Sequence, residues 1–246
     1  MKFRTRTLHL SLSIALLGAT ATAQAQFEAV RVLPTGASPN AVASADLDGD
    51  GVTDVVASNY DSHSVSILLG QGLGAFAPRV DYAVGSRPVS VTLADLDGDG
   101  DADLACANSQ SATVSVLRNQ GDGTFVPHVQ YGTGPGPWSV TSADLDGDGD
   151  RDLVVANRSS STLSVLLNNG DGTFAAQAQI AVGTTPFSVA AADLDGDGDQ
   201  DLASANFDAN TVSVVRNHGD GTFAPHVQVP VGVAPASVAI ADLDGD

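Results

Sequence analysis

Apolar and polar residues alternate along this chain in short bursts, and none of the bursts has the 3.6-residue period of a helix. Within residues 87–134 the run "VSVTL" (89–93) alternates strictly, 104–107 is small and apolar, and 113–117 alternates again. A fourth run, 125–131, follows the glycine-rich stretch "NQGDG" (119–123). Glycine supplies the positive φ that a tight hairpin requires. These runs therefore predict four short antiparallel strands of ordinary length, joined by ordinary loops.

The whole pattern recurs. Asp46, Asp95, Asp144, Asp193 and Asp242 head copies of one acidic motif at intervals of 49 residues. Pro39, Pro88, Pro137, Pro186 and Pro235 keep the same step, as do Phe76, Phe125, Phe174 and Phe223, with Phe27 one period upstream. Self-similarity at this length marks a solenoid, an array or a propeller. One small four-stranded sheet cannot bury both of its faces, so neighbouring units must stack, and radial stacking gives a β-propeller with one blade per repeat. A string of β-sandwiches would need about 100 residues per domain. The expected fold is all-β, a propeller of four-stranded antiparallel blades.

The repeats divide the chain at 37–85, 86–134, 135–183 and 184–232, with a truncated fifth copy at 233–246. Residues 26–36 align with the fourth run of a repeat, so they are expected to form a strand that completes the last blade of a closed ring. Closure of that kind removes an exposed sheet edge. The sequence stops inside the fifth acidic stretch, and the expectation is that further sequence completes the ring. Residues 1–25 read as a secretory signal: Lys2, Arg4 and Arg6, an apolar run over 8–17, and Ala23-Gln24-Ala25 before the cut. A secreted or otherwise extracytoplasmic protein is expected, without a membrane span, because no stretch approaches the roughly 20 apolar residues of a transmembrane helix. The single cysteine, Cys106, leaves no internal disulfide to stabilise the fold.

Charge sharpens the picture. Asp and Glu number 29 against 10 Lys and Arg, and most of the acids sit in the five repeated stretches. Glu28 is the sole glutamate, so the excess is not a generally solvated acidic surface. Nucleic acid is an unsuitable partner, since phosphate binding needs a basic stripe.

The stretch "DLDGDGDRD" (144–152) presents carboxylates at its positions 1, 3, 5, 7 and 9 with glycine at position 6. Positions 1, 3 and 5 can turn inward around a glycine-assisted bend, as in the first half of an EF-hand loop. Position 12 carries no glutamate, so position 9 is expected to close the shell. Hard oxygen donors favour Ca²⁺ over Zn²⁺ or Mg²⁺. The candidate ligands are Asp46, Asp48, Asp50 and Asp54; Asp95, Asp97, Asp99 and Asp103; Asp144, Asp146, Asp148 and Asp152; Asp193, Asp195, Asp197 and Asp201; and Asp242, Asp244 and Asp246. Val52, Asp101, Asp150 and Asp199, at position 7, are expected to contribute their backbone carbonyls, with the aspartate side chains pointing outward to solvent. Without a cation, two carboxylates about 4 Å apart repel by roughly 4 kcal/mol at an effective dielectric of 20. The bland alternative is a solvated acidic turn without metal.

At these residues the chain resembles the FG-GAP and VCBS repeat family, on the combination "DLDGDGDxDLxxAN" and "NxGDGTF" over residues 27–246. That family includes the heads of integrin α-chains, some fungal lectins and many secreted bacterial proteins. The resemblance implies a propeller, commonly of seven blades, with Ca²⁺ between the first and second strands of a blade, about one per repeat. The first copy departs from the pattern at its turn, "GQGLGAF" (70–76).

Strand parity puts the acidic loops and the "GDGTF" turns on one face and the remaining loops on the other. On that opposite face the copies diverge, and Tyr60, His63, Trp138, Phe187 and Phe207 are candidates for gripping a sugar ring or a peptide. The alternative for Trp138 and Phe187 is that they fill space between blades. No G-x-S-x-G, H-E-x-x-H or C-x-x-C motif is present. His128 and His226 fall at one position of the outermost strand, where exposed edge residues are expected. The expected function is a non-enzymatic, secreted, calcium-binding module for a glycan or an extracellular protein. The alternatives are the propeller part of a larger hydrolytic enzyme, with any catalytic residues beyond Asp246, and a structural spacer.

Overall fold

The computed structural model describes residues 32–243, so residues 1–25 with the expected secretory signal, residues 26–31 with Phe27, and Asp244 and Asp246 lie outside the described residues. The first sheet consists of β1 (Pro39–Ala45), β2 (Asp54–Asn59), β3 (Ser64–Leu68) and β4 (Val80–Ala83). The second holds β5 (Pro88–Ala94), β6 (Asp103–Asn108), β7 (Thr113–Leu117) and β8 (Val129–Gly132). The third holds β9 (Pro137–Ala143), β10 (Asp152–Asn157), β11 (Thr162–Leu166) and β12 (Ala178–Ala181). The fourth holds β13 (Pro186–Ala192), β14 (Asp201–Asn206), β15 (Thr211–Val215) and β16 (Val227–Pro230). Each sheet is antiparallel with its strands in chain order, as in a propeller blade. No helix among the described residues is long and apolar enough to cross a membrane.

The first strands β1, β5, β9 and β13 lie side by side from blade to blade. Val140 and Val189 donate their backbone N–H groups to Ser90 and Ser139 of the preceding first strand at 3.2 and 3.4 Å. Val238 does the same to Ser188 at 3.3 Å, although residues 235–240 form no strand. Val32–Gly36 likewise forms no strand.

The core lies between blades. Strands β6, β10 and β14 are buried at every residue, because one side-chain face meets the preceding blade and the other the following one. Leu47 of the first blade enters a cluster with Leu104, Cys106, Leu117 and Phe125 of the second. Leu145 does the same with Leu202 and Val215 of the fourth blade. Burying a leucine fully is worth about 1.5 to 3 kcal/mol, so stacking is what stabilises each sheet.

The fourth strand is shorter than its sequence pattern predicts. β8 begins at Val129, and Phe125 instead makes an isolated bridge with Asn119. Its ring turns into the inter-blade space, where it meets Tyr82 edge-on at 5.5 Å, and Phe174 meets Tyr131 in the same way at 5.2 Å. The hydrophobic run was thus two things, a buried plug followed by a strand. His128 and His226 are half-buried rather than exposed, with Nδ1 hydrogen-bonded to Ser115 Oγ at 2.8 Å and Ser213 Oγ at 2.9 Å. The neighbouring third strand, with its buried serines, gives these rings a partner.

Candidate functional site: the acidic loops and the opposite face

Each acidic loop links the first and second strands of a blade, and its geometry repeats closely. In the third copy Asp144 accepts the N–H groups of Gly147 at 2.8 Å and Gly149 at 3.1 Å, so position 1 folds the loop around its own carboxylate. Gly149 has φ of 97°, a backbone conformation that glycine reaches at no steric cost. Asp148, at position 5, is exposed and accepts the Asp150 N–H at 2.9 Å. Carboxylate oxygens converge within 4.8 Å of one another in four groups: Asp46, Asp48 and Asp50; Asp95, Asp97 and Asp99; Asp144, Asp146 and Asp152; and Asp193, Asp195 and Asp197. Asp242 is exposed and stands in none of these groups.

Position 9 has a second role that spacing alone did not show. Asp152 is fully buried, and its two oxygens accept N–H groups from Leu145 at 2.8 Å and Asn168 at 2.7 Å. Asp54, Asp103 and Asp201 do the same toward Leu47 and Gly70, Leu96 and Asn119, and Leu194 and Asn217. The residue ties the acidic loop to the hairpin between the third and fourth strands. Position 9 is expected from the sequence to close every shell, but only in the third copy does its oxygen fall within the converging group, where Asp152 stands in the place of Asp148; in the other three the group is positions 1, 3 and 5.

Position 7 differs from expectation. Asp101, Asp150 and Asp199 are half-buried, and their side chains lie against Gly121, Gly170 and Gly219 of that hairpin. A Cβ on Gly170 would come within 2.7 Å of Asp150 Oδ2. The space left by glycine draws these carboxylates in from solvent.

Asn119, Asn168 and Asn217, the first residue of "NxGDGTF", have a task that the sequence pattern does not reveal. Their side-chain amides donate to the carbonyls of Leu47, Leu96 and Leu145 in the preceding blade's acidic loop at 2.8, 2.8 and 2.7 Å. The loop of one blade is thus fastened to the hairpin of the next. Gly70 stands at this position in the first copy.

The electrostatics are compatible with a cation. Burial pushes the Asp103 and Asp152 carboxyls up to about 6, against the hydrogen bonds they accept and with further upward push from Asp97 and Asp99 or Asp146 and Asp148. Desolvation first, then neighbouring carboxylates, also raise Asp48, Asp97, Asp146 and Asp195. Asp97 Oδ1 and Asp146 Oδ1 are buried without any hydrogen-bond partner. A cation satisfies both features, and an all-oxygen donor set is compatible with calcium. Arg118 and Arg216 lie 3.7 and 3.4 Å from Asp97 and Asp195, a partial neutralisation from outside the loops.

On the opposite face, Tyr60, Trp138, Phe187 and Phe207 are half-buried and gathered together. Trp138 and Phe187 lie 5.3 Å apart, and Phe187 stacks on Phe207 at 4.7 Å. Tyr60 and Trp138 also pack on the core between the second and third blades, so the space-filling reading describes part of what they do. Arg158 lies over both Trp138 and Phe187 at 4.8 Å, and Arg87 over Tyr60 at 5.2 Å. Sequence reasoning missed both arginines, which only the fold brings beside the aromatic rings. His63 is exposed, and its Nδ1 accepts the Arg87 N–H at 3.0 Å, which positions the arginine backbone.

Stacked four-stranded blades, each with a carboxylate-lined loop between its inner strands, define a β-propeller with repeated cation-compatible sites. The model of the FG-GAP-like repeat matches residues 46–106, 95–155, 144–204 and 193–246, and the chain belongs to that family. No curated protein matches. Among solved structures, an Agrocybe aegerita lectin that recognises non-reducing terminal N-acetylglucosamine is 28% identical, with a TM-score of 0.56 over 75% of this chain and 50% of that one. A Lactobacillus plantarum protein is 17% identical, with a TM-score of 0.65 over 84% and 62% of the two chains. The periplasmic gluconolactonase of Pseudomonas aeruginosa is 20% identical, with a TM-score of 0.62 over 80% and 55%. The last two share the fold alone, and the chain spans 50% to 62% of the length of these three structures.

Proposed function

We propose that this chain is part of a secreted, calcium-stabilised propeller that binds a ligand, a glycan or an extracellular protein, on the face away from its acidic loops. The observation that carries this reading is where the repeats diverge. Positions with a shared structural task repeat: position 9 is Asp54, Asp103, Asp152 and Asp201, and the end of the second strand is Asn59, Asn108, Asn157 and Asn206. Positions 60, 109, 158 and 207 are instead Tyr, Ser, Arg and Phe, and positions 40, 89, 138 and 187 are Asn, Val, Trp and Phe. Residues from these sets meet in one aromatic and cationic cluster. A structural role common to every blade does not call for such variety, whereas an asymmetric ligand does.

Calcium is the cation we assign to the loops, about one per blade, held by positions 1, 3 and 5 with the position-7 carbonyl, and in the third copy by Asp152 of position 9 beside Asp144 and Asp146. The resemblance to a sugar-binding lectin at 28% identity supports a glycan ligand. The acidic clusters serve the loops and the half-buried histidines bond to serines, which supports a binding rather than a catalytic role. Secretion rests on the N-terminal pattern of residues 1–25. A glycan array probed with the wild type and Trp138→Ala, in millimolar calcium, tests the reading. Binding by the wild type that the variant loses is the expected result; no binding to any saccharide leaves the glycan reading without support.

A further inference from the structure

From the cluster on the face opposite the acidic loops we infer the ligand's chemistry: a saccharide that carries a carboxylate, bound in a cavity between the second and third blades with its acidic group held by Arg87 and Arg158. The inference rests on the binding-module reading and deepens it. The cavity has a volume of about 200 Å³, the scale of a single sugar ring, and Tyr60, Arg87, Gln110, Trp138, Arg158 and Ser159 are among its lining residues.

The arginines are the informative part. Elsewhere Arg79, Arg118 and Arg216 each pair with an aspartate at 3.3 to 3.7 Å. Arg151 lies beside the acidic loop of its own blade, at the cavity next to Asp144. Arg151, Arg87 and Arg158 form no ion pair among the described residues, although the chain carries 29 acidic residues and a net charge of −19, and of these three only Arg87 and Arg158 lie away from the acidic loops. Both are exposed and lie against aromatic rings, Arg158 over two of them. Stacking holds a guanidinium in place and leaves its N–H edge free, and that planar fork matches a carboxylate.

The divergence of the repeats converges on this cavity. Arg87 stands where the other copies have Ser38, Gly136 and Thr185, and Arg158 where they have Tyr60, Ser109 and Phe207. At Gly136 a Cβ would lie 2.3 Å from Ser159 Oγ, so glycine makes room for that hydroxyl at the cavity where the preceding copy has an arginine. A sugar ring suits the site better than a peptide. The cavity's volume is on the scale of one ring, Ser109, Gln110 and Ser159 offer hydroxyl and amide groups for sugar hydroxyls, and tryptophan and tyrosine supply faces for its C–H groups.

The test uses trigalacturonic acid, its methyl ester, neutral chito-oligosaccharide and an aspartate-rich peptide, each titrated into the calcium-loaded protein by calorimetry. The free acid is expected to bind, its methyl ester to bind about tenfold more weakly or worse, and Arg158→Gln and Arg87→Gln each to cost about tenfold or more. Arg158→Lys, which keeps the charge but loses the fork, is expected to fall between wild type and Arg158→Gln. Unchanged melting temperatures of the variants exclude misfolding as the cause. Equal binding of acid and ester, or full binding by both glutamine variants, overturns the inference. If the neutral oligomer binds and Trp138→Ala abolishes that binding, the binding-module reading stands and the acidic ligand falls. Preference for the peptide overturns the saccharide, and binding of none of the four probes overturns the inference and removes the support for the glycan reading.

Discussion

Position 9 of the acidic loop separates a structural clasp from a metal ligand, and a pair of substitutions in one loop tells them apart. Asp152→Ala removes the acceptor for the N–H groups of Leu145 and Asn168, both at hydrogen-bond distances of 2.7 to 2.8 Å from a carboxylate with 0% exposure. A hydrogen bond to a charged group contributes about 1.5 to 3 kcal/mol, and a buried donor left without an acceptor costs a similar amount. The two bonds together predict a loss of about 3 to 6 kcal/mol, a large part of the roughly 5 to 15 kcal/mol of a typical domain. Asp148→Ala, in the same loop, removes an exposed carboxylate that accepts a single N–H from Asp150. Its cost without calcium is expected to stay under about 1 kcal/mol, as for most surface substitutions.

Urea titrations followed by circular dichroism, in excess EGTA and in millimolar calcium, provide the comparison. In EGTA the midpoint of Asp152→Ala should fall well below that of Asp148→Ala, which should stay near the wild type. In calcium Asp148→Ala should lose part of the calcium-derived gain, and Asp152→Asn, which keeps one acceptor oxygen, should lie between wild type and Asp152→Ala. Equal midpoints for the two alanine variants in EGTA would refute the clasp and reduce position 9 to a ligand.

Melting in excess EGTA, in millimolar calcium and in matched magnesium should show a rise specific to calcium and dependent on its concentration; each site filled at 100 times its Kd adds about 2.7 kcal/mol, and three coincident curves would remove the metal from the reading. The raised carboxyls of Asp103 and Asp152 set the pH dependence: the folded state binds their protons more tightly than the unfolded chain does, so chelated protein should lose stability as pH rises from about 4 to about 6 and change little above. Calcium-loaded protein should show the opposite trend over that window, because protons compete with the metal; a chelated protein that weakens on acidification from pH 7 to 5 contradicts the assignment. Gly170→Ala places a Cβ 2.7 Å from Asp150 Oδ2 at a φ of 82°, whereas Gly72→Ala, at 75°, meets nothing within 4 Å. Chemical denaturation should therefore find both destabilised by about 1 to 2 kcal/mol for the left-handed backbone, with the larger loss at Gly170.

Much of this protein was legible in its sequence because the information is repeated. The 49-residue step, the alternating runs and the glycine-bounded turns determined four short strands per unit and the need for units to stack. The Asp-x-Asp-x-Asp spacing likewise determined which carboxylates converge in three of the four described loops, since they lie on one tight loop and their geometry is local, whereas in the third Asp152 stands in the place of Asp148. The tertiary structure alone decided what depends on contact between distant segments. Phe125 left its strand for the inter-blade space, where Tyr82 comes from the preceding blade. Asp152 became a clasp because the Asn168 N–H, on a separate hairpin, points at it. Asp150 leaned onto Gly170 because that glycine leaves room. Arg87 and Arg158 gained a meaning only when β-sheet stacking set them beside rings from other loops. A periodic sequence specifies what each repeat does alone, whereas the junctions between repeats bring together residues far apart in the chain, and their chemistry emerges only in the folded molecule.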